Sequence, residues 1–212
     1  MIHAIGDSNS AFFTGTDLVR GVPWRKLKPD DRIAEYRSYN IGPATAYQFR
    51  DKHLDSVMET INEAQIPAGD PILLVFGEID CRWHVGKQSL ETETHVWHVI
   101  DAAMKRYFEG VIKLRKVHNV IMWGVPPPNP EAREDHDGFI FGNNAFRFNI
   151  TRMWNQALME RCEYCKIPYA SIFWDLATNG YSTNPGFHLD NIHLNQKAMP
   201  AARNELYHWE GK

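Results

Sequence analysis

Residues 71–77, PILLVFG, constrain what this chain can fold into more than any other stretch. A strand with one wet face alternates apolar and polar side chains; this one is apolar throughout, as expected where both faces of a sheet are covered. Residues 1–5 (MIHAI) and 119–126 (NVIMWGVP) read the same way, while 35–42 (EYRSYNIG) and 167–174 (IPYASIFW) are weaker strands. Helix-period stretches lie between them. One is expected from Ala44 past Asp51 and one over 93–116, with Val96, Val99, Ile100, Ala103, Tyr107, Val111 and Leu114 near one face. Two more are expected over 144–166 and 195–207.

Strands separated by helices imply a parallel sheet with helices on both faces. The expected fold class is therefore α/β: a three-layer α/β/α sandwich around a flavodoxin-like parallel five-stranded sheet. Right-handed crossovers and a strand order near 2-1-3-4-5 go with it. A chain of 212 residues, 43% hydrophobic, is long enough for one sizeable core. It has no repeat, low-complexity tract or linker, so residues 1–212 are expected to form a single domain. The polar stretch 126–144 (PPPNPEAREDHDGFIFGNN) is expected to be a flap on the functional rim.

Charge and composition exclude several classes. A net charge of −3 offers no basic field for nucleic acid or an anionic membrane surface. No apolar run is long enough to span a bilayer. The start, MIHAIGDSNS, lacks the basic region and length of a signal peptide, so a cytoplasmic protein is expected. Cys81, Cys162 and Cys165 cannot make a disulfide framework. Cys162 and Cys165 form a CxxC, but within a helix-period stretch and without a second ligand pair; two thiols packed on a core is the better reading. His95 and His98 lack a third ligand and read as structural. No cofactor is expected.

In an open parallel sheet, ligands bind beyond the carboxyl ends of the strands. Asp7, Ser8 and Asn9 follow the first strand, Gly42 and Pro43 the second, and 77–84 (GEIDCRWH) the third; 188–195 (HLDNIHLN) precede the final helix. A serine hydroxyl is a poor nucleophile until a base takes its proton, and an imidazole base needs an acid to fix its tautomer. Asp190 and His193, three apart on a turn, let the carboxylate reach Nδ1 and leave Nε2 for Ser8. The backbone N–H groups of Ser8 and Gly42 are candidate donors to the negative charge that develops on an attacked carbonyl. Taken alone, Ser8 reads equally well as a helix cap.

GDSNS, the isolated Gly42, GEID and DNIH fall in the order of the four blocks of the SGNH (GDSL-like) hydrolase superfamily, and in this the chain resembles that family from Gly6 to His193. The resemblance implies an α/β/α sandwich and ester hydrolysis or acyl transfer on a small-molecule acyl ester. It makes Ser8 the nucleophile, His193 the base, Asp190 its orienting acid, and Ser8 and Gly42 oxyanion donors. One block departs. The family's third motif carries an asparagine that gives a further donor, and here Ile79 stands in its place. Arg82 is the nearest substitute; equally, Arg82 pairs with Glu78, or joins Asp80 in an ion pair anchoring the loop.

Three readings stay open: a serine esterase with an O-acetylated sugar as candidate substrate, an acyltransferase with the same triad, and a catalytically silent glycan-binding module. Trp24, Trp83 and Trp123, on or near the rim loops, are candidates for stacking on sugar rings.

Overall fold

The computed structural model describes residues 1–17, 35–133, 140–178 and 182–209. Five parallel strands, β1 (Ile2–Gly6), β2 (Tyr36–Asn40), β3 (Ile72–Val75), β4 (Val120–Trp123) and β5 (Tyr169–Ala170), form a sheet in the order β2-β1-β3-β4-β5. This is the expected order.

β3 accounts for the continuous apolar run. Ile72 and Leu74 face one core, with Ile5, Tyr39 and Met122 from neighbouring strands. Leu73 and Val75 face the other, with Ile2, Ala4, Tyr36, Ile121 and Trp123. The first face is covered by α1 (Leu54–Glu63), α2 (Val85–Glu91), α3 (Val96–Arg115) and α4 (Asn144–Cys165). The second is covered by a 3-10 turn at Ser8–Thr14, by α5 (Phe173–Leu176) and by α6 (Met199–Leu206), which contribute Phe12, Phe13, Leu176, Met199, Ala202 and Leu206. Among the described residues, no helix is long and apolar enough to cross a membrane.

Several boundaries differ from expectation. The helix anticipated from Ala44 begins with a π-helical turn at Phe49–His53 before α1. The stretch after β3 is not a rim loop: it turns helical at Glu78, passes through a π-helical turn at Asp80–His84 and continues as α2. α3 starts later than 93 because the His95 side chain caps it, accepting a hydrogen bond from Trp97 N–H. The last strand is two residues long, since Phe173–Leu176 are helical, and a small antiparallel pair, β6 (Ala177–Thr178) with β7 (Ser182–Thr183), follows. Cys162 is buried and Cys165 half-buried against the first core.

Candidate active site

β1 ends at Gly6 and hands the chain to Asp7, whose Oδ1 accepts hydrogen bonds from Asn9 N–H at 2.8 Å and Asn9 Nδ2 at 3.1 Å. Asp7, not Ser8, is the cap of the turn. That leaves Ser8 as its first residue, at the carboxyl rim, where an N–H has no acceptor within the turn.

Residues 188–194 form a narrow loop closed by a bridge between His188 and Leu194, with Leu189 N–H donating to His193 O at 2.8 Å. Inside it, Asp190 Oδ1 accepts from Ile192 N–H at 2.7 Å and His193 N–H at 2.9 Å. His193 Nδ1 lies 2.9 Å from Asp190 Oδ2 and 3.0 Å from Oδ1. Because the carboxylate only accepts, Nδ1 carries the proton and Nε2 is the basic nitrogen. Nε2 lies 2.8 Å from Ser8 Oγ, within hydrogen-bonding distance for the hydroxyl to donate. Burial would raise the Asp190 carboxyl, but the hydrogen bonds from His193 and Ile192 outweigh it and hold the group well below the usual carboxylate range. An ionised Asp190 is the partner an imidazolium needs.

Asn129, which the sequence reading passed over, steadies this loop: its Nδ2 donates to Asp190 O at 2.9 Å, and it is buried beyond β4. Nothing in the proline-rich segment singles it out in the sequence, since its acceptor lies 61 positions away.

The other expected site residues fall as follows. Gly42 adopts φ +97, but its N–H donates to Asn40 Oδ1 at 2.9 Å, so it does not stand as a free donor. Arg82 does not supply a free cation in the missing asparagine's place: its Nε donates to Glu78 Oε1 at 2.8 Å, with both side chains largely buried. Nor does Arg82 pair with Asp80. That alternative assumed an extended backbone, whereas the helical one puts Glu78 and Arg82 four apart on one face. Asp80 is buried and accepts from Ala46 N–H at 2.8 Å and Tyr47 N–H at 3.2 Å; burial still pushes its carboxyl up to about 6. Trp123 belongs to the core, edge-on to Phe13, and Trp83 is half-buried, edge-on to Phe141. Trp24 lies outside the described residues. Among the described residues no group of three or more His, Cys, Asp or Glu side chains is gathered for a metal.

Ser8 is flanked by a cavity of about 20 Å³ lined by Asn9, Ala11, Phe12, Thr16, His193 and Leu194. A second of about 20 Å³ lies between Glu78, Arg82, Asn129, Asn191, Ile192 and the prolines after β4.

No protein-family model and no curated protein matches this sequence. Solved structures do. A GDSL-like lipase from Bacteroides thetaiotaomicron superposes with TM-score 0.56 at 15% identity, covering 98% of this chain and 85% of its own. An acetylxylan esterase from Geobacillus stearothermophilus, in a catalytic mutant, gives 0.56 at 14%, covering 99% and 93%. A carbohydrate acetylesterase from Sinorhizobium meliloti gives 0.53 at 13%, covering 92% and 91%. At these identities the likeness is one of fold.

Proposed function

We propose that this chain, which has the fold and the block order of the SGNH (GDSL-like) hydrolases, is a serine esterase that hydrolyses short acyl esters through Ser8, His193 and Asp190. The observation that carries the reading is the unbroken chain from Ser8 Oγ through His193 Nε2 and Nδ1 to an Asp190 carboxylate held ionised. Ser8 Oγ attacks the acyl carbonyl while His193 Nε2 takes its proton, and Asp190 balances the imidazolium. The tetrahedral intermediate collapses as His193 returns the proton to the leaving alcohol. Water, activated by the same imidazole, then attacks the acyl-Ser8 carbonyl and releases the acid.

An acetyl group on a carbohydrate is the substrate class we favour. A cavity of about 20 Å³ beside Ser8 holds little more than a methyl group or a water molecule. Two of the proteins with this fold are named as acting on acetylated carbohydrate.

The test is a series of p-nitrophenyl esters of rising chain length, followed by mass spectrometry of the Ser8 peptide. Acetate is expected to be turned over fastest and to leave an acetyl on Ser8. Ser8→Ala is expected to lose turnover and phosphonate labelling while unfolding at the wild-type temperature. Turnover retained in Ser8→Ala would overturn the assignment.

A further inference from the structure

The oxyanion side of this site is short of donors. Ile79 has no polar group to give, and the Gly42 N–H is engaged by Asn40. Of the groups expected there, the Ser8 N–H alone is uncommitted.

Asn40 itself holds an unspent donor. A backbone N–H bonds only to an acceptor, so the 2.9 Å contact with Gly42 fixes Oδ1 on that side and turns Nδ2 away from it. Nδ2 donates to nothing among the described residues, although Asn40 is only 8% exposed. Nδ2 is not among the unpartnered side-chain atoms closed off from solvent, so a residue otherwise buried keeps its amide donors open to an incoming group.

Register brings that amide to the nucleophile. Asn40 pairs with Gly6, and Ile41 N–H donates to Gly6 O at 2.9 Å, so Asn40 stands beside the strand end that delivers Asp7 and Ser8. Side chains alternate along a strand, which puts Asn40 on the same face as Ser38. Ser38 Oγ donates to Ser10 O at 2.7 Å, so that face packs on the Ser8–Thr14 turn. Asn40, two residues nearer the carboxyl rim and level with Gly6, lies on that same face toward the start of the turn at Ser8.

We propose that Asn40 is a catalytic residue, its Nδ2 donating to the tetrahedral oxyanion in place of the asparagine absent from position 79. The Gly42 N–H, by bonding to Oδ1, polarises the amide and holds it still, so the donor is oriented before substrate arrives. Gly42 then acts on the oxyanion through Asn40. The inference rests on the esterase reading above.

Aryl acetate kinetics test it. Asn40→Asp keeps an acceptor for Gly42 N–H and deletes the donor; kcat is expected to fall about 100-fold or more, with KM close to wild type. Asn40→Ala deletes both groups and is expected to lose as much kcat with some stability. Adding Ile79→Asn to Asn40→Asp is expected to recover about tenfold of the rate, which a purely structural Asn40 would not allow. Where Asn40→Ala fails to fold, the near-isosteric Asn40→Asp still decides. If Asn40→Asp turns over within about threefold of wild type, Asn40 only braces Gly42 and the inference falls. A wild-type protein that neither hydrolyses aryl acetate nor labels at Ser8 overturns the esterase reading instead.

Discussion

Asp7→Asn is expected to stabilise the protein, and increasingly so as pH rises. Asp7 is 1% exposed, its Oδ2 has no partner, and the buried Glu78 Oε2, also unpartnered, belongs to the acidic group that repels it. Burial first, and the Glu78 charge second, push its carboxyl from 3.8 up to about 7. Between those values the folded chain keeps a proton that the unfolded chain has released, so stability falls as pH rises through the window and the deficit is complete above it. Three units correspond to an upper bound of about 4 kcal/mol, of which about 3 kcal/mol develops between pH 5 and pH 8. Asparagine keeps an oxygen for Asn9 N–H and removes the charge. Urea unfolding of wild type and variant at both pH values measures the difference, and for a chain of this length the full gain at pH 8 corresponds to about 8–16 °C in Tm. An advantage of the same size at pH 5 and pH 8, or none at either, would refute the claim that Asp7 carries an uncompensated buried charge.

Two further substitutions probe the surroundings of the site. Arg82→Ala leaves the buried Glu78 carboxylate without its ion-pair partner and is expected to cost about 3–5 kcal/mol; adding Glu78→Gln is expected to regain most of it, with aryl acetate turnover following stability rather than falling on its own. Gly77→Ala, at φ +108 with its new Cβ 2.7 Å from Trp154 Nε1, is expected to lower stability by about 2–3 kcal/mol in chemical denaturation.

What sequence could reveal here divides by the range of the interactions. The Asp190–His193 contact was legible because it spans three residues of one turn, so residue types and spacing nearly suffice to build it. The apolar run in β3 was legible for a similar reason: period two sends Ile72 and Leu74 to one core and Leu73 and Val75 to the other, so a polar residue has nowhere to face. Of the roles open to Arg82, the pair with Glu78 is the one that forms, and the pairing with Asp80 fails because it needed an extended backbone. Helix beginning at Glu78, immediately after the turn at Gly77, exchanges an alternating side-chain pattern for one in which residues four apart meet.

By itself, then, the sequence determined the layered α/β fold, the strand order, and the local geometry of Asp190 and His193. It also determined that a serine ends the first strand. Tertiary structure alone decided that this serine meets that histidine, 185 residues away, since only the parallel pairing of β1 within the sheet and the return of the last loop carry both to one rim. It decided too that Asn129 holds the Asp190 loop and that Gly42 N–H turns to Asn40, because a hydrogen bond is chosen by what stands within 3 Å of the donor once the chain has packed. Trp123 shows the same limit: nothing in its neighbours along the chain says that Phe13, 110 positions away, packs edge-on against its ring inside the core.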